Sequence, residues 1–212
     1  MSNFIKNVTF SPFMQKANNT QKIAYLGVMT AFSVVANTFL EIKFSDVQFS
    51  LTVFISVCMG FLLGGGSGFL VCFLGDLVGY LFNSMGYLYM IWVGLSTACT
   101  ALISGIIFYA IRIKIKGEFY VKLGLIAILS FLFCTVAINS TGFYFYNYYM
   151  GFSQAVIDYV SSVFGGNVGY FGYLAYRLIF KGQIYNSVFN YALCFIALPI
   201  LSKLKIFNKF DK

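Results

Sequence analysis

Of 212 residues, 60% are hydrophobic and 9% charged, with a mean hydropathy of +0.84, whereas soluble domains carry roughly 25% charged residues. A water-soluble globule is excluded, and the length allows one domain. The formal charge of +8 raises nucleic acid as a partner, but the placement of the basic residues removes it.

Apolar runs near 22–40, 47–63, 67–82, 88–111, 121–143 and 183–202 predict six membrane-crossing helices. Each reaches across a hydrocarbon core of about 30 Å at roughly 1.5 Å per residue, the second and third barely. As one helix, 47–82 would measure about 54 Å, more than tilt accommodates. Gly64, Gly65, Gly66 and Gly68 supply the break, read as a tight hairpin between two helices.

The first span carries Ala24, Gly27 and Ala31 on one strip. Such small residues let helices approach closely in lipid, within the bundle or against a partner subunit. Glu41 to Asp46 forms a charged first outer loop. In the third span Gly68, Cys72, Gly75 and Gly79 repeat the small pattern, and Gly94, Ala98, Ala101 and Gly105 do so in the fourth. Asp76 is the one acid deep inside a span. Its charge there costs roughly 2.5–3.5 kcal/mol, so it faces the interior and has a partner, as a structural clasp or as a ligand contact.

The fifth span ends in Asn139, Ser140 and Thr141, followed by Tyr144, Tyr146, Tyr148 and Tyr149. These tyrosines suit an interfacial belt or a wall of aromatic faces for a flat heterocycle. The outer segment 144–182 is the longest connection. Phe152, Val156, Ile157, Val160, Val163 and Phe164 recur at helical spacing there, between Ser153 as N-cap and Gly165 as stop. They predict an interfacial helix; a seventh span within 144–182 would instead put the C-terminal lysines outside. Arg177 and Lys181 stand one turn apart before the last span, placed for lipid headgroups or for a substrate carboxylate.

With the N terminus inside, 11 of the 14 basic residues fall on inner segments, and only Lys43, Arg177 and Lys181 lie outside. That follows the positive-inside rule, so the basic excess reports topology rather than nucleic-acid binding. The reading is an all-α integral membrane protein, a six-transmembrane-helix bundle with both termini cytoplasmic. The first span is too long for a signal-peptide core.

The five cysteines at 58, 72, 99, 134 and 194 sit in apolar runs and read as buried small hydrophobes. Histidine is absent, which removes the commonest general base and metal ligand. The phosphate loop G-x-x-x-x-G-K-[ST], H-E-x-x-H and G-x-S-x-G are also missing. An enzyme is not indicated, nor a metal or cofactor.

The stretch Phe61-Leu-Leu-Gly-Gly-Gly-Ser-Gly-Phe-Leu-Val-Cys-Phe-Leu-Gly-Asp-Leu-Val-Gly79, with Gly86-Tyr87, Gly94-Leu95-Ser96 and Ile103-Ser104-Gly105, resembles the substrate-specific membrane subunits (S components) of energy-coupling factor vitamin importers. The likeness runs from about 22 to 202. It implies six helices and a substrate pocket that opens outward under the first outer loop. It further implies a coupling transmembrane subunit and two cytosolic ATPase subunits as partners. Ala24, Gly27 and Ala31 stand where such proteins meet the coupling subunit. A proline often follows the glycine of the turn in that family; Gly65-Gly66 here predicts a looser turn. The third and fourth spans and Tyr176-Arg177-Leu178 look most like the folate-type branch. This implies a pterin stacked on tyrosines and glutamyl carboxylates for Arg177 or Lys181, with Asp76, Asn139, Tyr144 and Tyr146 as further contacts. Riboflavin, pantothenate and queuosine precursors use the same scaffold, and a fold alone names no substrate.

Overall fold

The computed structural model describes residues 3–44, 47–82, 88–113 and 115–203, with side chains throughout except at 3–4 and 41–48. Asp46, the Gly86-Tyr87 pair and the basic residues Lys114, Lys205, Lys209 and Lys212 lie outside the described residues.

The chain is an all-α membrane protein with one small β element. Among the described residues, five helices are long and apolar enough to cross a membrane: Asn19–Phe39 (α3), Gly65–Phe82 (α5), Ile91–Tyr109 (α6), Glu118–Met150, and Gln183–Ser202 (α11). Two short helices that the hydropathy pattern does not signal precede them, Asn3–Thr9 (α1) and Pro12–Lys16 (α2). Ser11 caps α2: its Oγ accepts the Met14 N–H at 3.2 Å while donating to the Leu62 carbonyl at 2.7 Å. Pro12 follows at the first helical position, where a missing N–H costs nothing. A capping box, with Asn18 and Gln21 bonding each other's backbone at 2.8 and 3.1 Å, starts α3 ahead of the expected residue 22.

The expected second span, 47–63, is corrected. Glu41–Phe44 (β1) and Val47–Ser50 (β2) pair antiparallel, with Glu41 opposite Ser50 and Phe44 opposite Val47, and the helix begins only at Thr52. This helix, Thr52–Leu63 (α4), has 12 residues. It is therefore about 18 Å long and falls short of a hydrocarbon core of about 30 Å. It is a central element rather than a lipid-facing one: Ile55 through Phe61 are all buried. Its first turn has no cap of its own. The neighbouring helix supplies one instead, through Asn190 Oδ1, which accepts the Phe54 N–H at 2.9 Å. A helix end inside a membrane protein needs such a partner because hydrocarbon offers none.

The break between α4 and α5 is narrower than the four-glycine cluster suggests. Gly64 alone makes it, at φ +97°, and Gly65 and Gly66 already belong to α5. The looser turn expected without proline is thus not observed. Phe10 and Ser11 close over Gly64, the Ser11 N–H donating to the Leu63 carbonyl at 2.8 Å and Ser67 Oγ to the Thr9 carbonyl at 3.0 Å. The small stripes predicted on the third and fourth spans do the packing. A Cβ on Gly68 would stand 3.1 Å from Gly60 Cα, and α6 packs against both α4 and α5. Buried Met59, Leu63, Val71, Cys72, Ala98 and Ala101 fill one core, and Val57, Leu123, Ile126, Cys194 and Leu198 a second.

The predicted end of the fifth helix at 143 is also corrected. Glu118–Ser130 (α7) runs through a π-helical stretch, Phe131–Ser140, into Thr141–Met150 (α8) as one 33-residue rod. At roughly 1.5 Å per residue it measures about 50 Å, so about 20 Å projects beyond a 30 Å core. The rod's last stretch, Thr141–Met150, carries the tyrosines. Beyond it lie Gln154–Phe164 (α9), Tyr170–Ala175 (α10) and a π-helical turn, Tyr176–Phe180. Helices of 11 and 6 residues are too short to span. Gly165, at φ +67°, ends α9 as expected, whereas Ser153 occupies the N-cap position without a side-chain cap bond.

Candidate functional site

α9 is amphipathic, and its apolar face, Val156 and Val160, packs on Tyr173 and Tyr176. This lays α9 across α10 and the following π-turn. Between these elements, α8 and the start of α11 lies a cavity of about 320 Å³. Phe143 and Asn147 line it from α8, Tyr176, Arg177 and Lys181 from the π-turn and its end, and Asn186 from α11. Its size falls in the range of small-molecule sites. No Asp or Glu is among the described lining residues.

The π-turn decides what Arg177 meets. Five residues per hydrogen-bonded ring widen the helix locally, a feature often found at functional sites. Here the Arg177 guanidinium carbon comes to 3.9 Å from the centroid of the Phe143 ring. Arg177 Nη2 donates to Asn139 Oδ1 at a long 3.4 Å. Its Nε is buried and has no acceptor among the described residues, a cost of about 1–3 kcal/mol for a buried donor. Burial pulls the guanidinium below its ordinary pKa, and Tyr173 and Tyr176 oppose the shift. The group stays protonated. Lys181 Nζ stands 6.0 Å from the Tyr176 ring centroid. A half-buried cation on an aromatic face, in a cavity whose described lining holds no carboxylate, can receive an anionic group and a flat ring beside it.

The residues singled out in the sequence fall into three places. Arg177 and Lys181 line this cavity, and Asn139 touches it only through its bond to Arg177. Tyr144 and Tyr146 stand behind it. Tyr144 lies edge-on to Tyr170 at 5.2 Å and near Tyr173 at 5.7 Å, inside the cluster that supports α9. Tyr146 lies 6.0 Å from the ring of Trp92. Asp76 is elsewhere, accepting the Tyr89 hydroxyl at 3.0 Å beside Gly94, where a Cβ would come within 2.7 Å of Asp76 Oδ2. That arrangement is a clasp between α5 and the entry to α6.

Ala24, Gly27 and Ala31 are exposed, and nothing stands within 4 Å of a Cβ built on Gly27. The strip is thus open at its surface, with Gly27 uncovered by any described residue.

Phe143, Trp92 and Asn186 escaped the sequence reading. Trp92, the only tryptophan, packs edge-on to Phe143 at 5.9 Å, against Gly142. Its indole N–H is buried with no acceptor among the described residues. Asn186 lines the cavity and also holds the hairpin, through the Ser50 N–H at 3.1 Å. The signal available was the Asn186/Asn190 pair, two amides one turn apart in an otherwise apolar helix.

No curated protein matches the chain. Residues 17–168 match the family model described as the ECF-type riboflavin transporter, S component. The match takes in α3 through α9 and stops before the π-turn and α11, which supply Tyr176, Arg177, Lys181 and Asn186 of the cavity wall. The chain therefore belongs to the ECF-type riboflavin transporter S-component family: it is a multi-pass membrane protein, the substrate-binding subunit of an energy-coupling factor transporter rather than an enzyme.

Proposed function

We propose that this subunit captures folate, or a related vitamin that joins a flat ring to an acidic group, at the cavity beneath α9. The observation that carries this reading is Arg177, a half-buried cation stacked on Phe143 with a buried, unused Nε donor and no carboxylate on the described wall. A glutamyl carboxylate satisfies that donor, and the ring rests among the aromatic side chains that surround it. Asn139 steadies the guanidinium, while Tyr144 and Tyr146 back the wall. Asp76 contributes by holding the entry to α6 in place.

The chain crosses the membrane six times, with α4 as the short central crossing and both termini in the cytosol. The basic residues of the inner segments support that orientation. The loaded subunit docks on the coupling transmembrane subunit through Ala24, Gly27 and Ala31. Two cytosolic ATPase subunits drive the cycle, and reorientation of the bundle delivers the vitamin. The setting is a bacterial plasma membrane.

A second reading takes the family description literally and makes riboflavin the cargo. Calorimetric titration of the purified chain with folate and with riboflavin separates the two. Folate binding that is lost in Arg177→Gln is the expected result; tight riboflavin binding without folate binding overturns the first reading.

A further inference from the structure

Asn186 and Asn190, one turn apart on α11, grip the end of the hairpin and the start of α4. The Ser50 N–H meets Asn186 Oδ1 at 3.1 Å, and Asn190 Nδ2 donates to that same oxygen at 3.0 Å. Asn190 Nδ2 also reaches the Ser50 carbonyl at 2.7 Å, and its Oδ1 accepts the Phe54 N–H. Backbone N–H groups only donate and carbonyls only accept, so these contacts fix which way both amides face. With its oxygen used twice, Asn186 turns its NH2 group away from the clasp, and that group donates to nothing among the described residues. Asn186 lines the cavity.

Asn147, across the cavity, is set the other way. Both of its N–H bonds are spent, on the Phe143 carbonyl at 2.7 Å and the Tyr173 hydroxyl at 2.9 Å. The cavity wall thus presents the Asn186 NH2 and the unsatisfied Arg177 Nε, and no carboxylate is among its described lining residues.

We propose that Asn186 is a specificity-determining ligand contact, its NH2 donating beside Arg177 to an anionic oxygen, carboxylate or phosphate, of the captured molecule. This rests on vitamin capture at the same cavity and adds the group that selects the charged form. Because the same amide holds Ser50, the bound anion and the hairpin share one side chain.

Asn186→Asp separates the two roles. The substituted side chain keeps an oxygen for the Ser50 and Asn190 donors, but turns the cavity-facing donor into an anion beside Arg177. The probes are folate, riboflavin 5′-phosphate and riboflavin, the last two differing only in the phosphate. Wild-type protein is expected to bind an anionic probe on the order of tenfold or more tightly than riboflavin. Folate alone identifies the carboxylate, and riboflavin 5′-phosphate the phosphate. Asn186→Asp is expected to lose at least that factor for the anionic probe and less for riboflavin, with melting temperature little changed. Equal wild-type affinity for riboflavin and its phosphate, without folate binding, overturns the inference and leaves vitamin capture standing; so does undiminished anion binding by Asn186→Asp. Wild-type protein that binds none of the three overturns both. The wild-type comparison decides the matter even where the variant does not fold.

Discussion

Arg177 rests its guanidinium on the ring of Phe143, carbon to centroid 3.9 Å, although the two residues come from different elements, the π-turn and α8. The ring supports the cation without neutralising it, so the charge remains available to a ligand. Arg177→Gln keeps a polar side chain, though a shorter one, and removes the charge. A charge-assisted hydrogen bond contributes about 1.5–3 kcal/mol, so folate affinity should fall roughly ten- to a hundredfold by calorimetry. Arg177→Lys should recover little of it, because an ammonium lacks the planar face and the Nε donor.

Asn190 should matter for stability rather than for affinity. It is fully buried and bonds the Phe54 N–H, the Ser50 carbonyl and Asn186. Asn190→Leu fills the same space but strands the Phe54 and Ser50 groups, at about 1–3 kcal/mol each. The melting temperature of the purified protein should drop, and limited proteolysis should cut the hairpin faster. Asn190→Asp keeps the acceptor for Phe54 but sets a buried carboxylate against the Ser50 and Asn186 oxygens, so it should be destabilised as well. Equal stability of Asn190→Leu and wild type would show that the clasp does not hold the hairpin.

The long apolar runs made the membrane class and the main helices legible, because hydrocarbon leaves a chain few other solutions. The α9 face was legible too, since Val156 and Val160 sit at helical spacing before a glycine stop. The hairpin was hidden by its continuity with α4: Val47-Gln48-Phe49-Ser50 alternates as a strand should, yet hydropathy averages it into the following helix. α1 and α2 were missed because helices this short are marginal alone and depend on tertiary contacts, here Ser11 with Leu62 and Ser67 with Thr9. At the site, charge marked Arg177 and Lys181. Nothing in the sequence signalled the π-turn that brings Arg177 onto Phe143, so the tyrosines looked nearer to the cargo than Phe143 and Asn186 do.

Gly142 makes room for Trp92. A Cβ there would come within 2.8 Å of the indole Cδ2, with its other nearest neighbours also atoms of that ring. Gly142→Ala should therefore push the indole aside and disturb Phe143 and Tyr146, at a cost of about 1–3 kcal/mol for an overpacked site. With one tryptophan in the chain, intrinsic fluorescence reads the displacement directly. The variant should show a shifted emission maximum and weaker ligand binding; an unchanged spectrum would mean that the backbone yields instead.

Gly27 offers the opposite test, since its substitution meets nothing within the described chain. Its neighbours on the strip, Ala24 and Ala31, are exposed as well. Leucine favours a helix over glycine by up to about 1 kcal/mol, so Gly27→Leu should leave the isolated subunit as stable as wild type and its vitamin affinity unchanged. A partner helix seated on the strip would meet the new side chain at close range, because small residues are what permit such contact in lipid. Co-purification with the coupling transmembrane subunit should fall sharply, and vitamin uptake by cells with it. If the variant assembled and transported normally, the docking surface would have to lie on another face of the bundle.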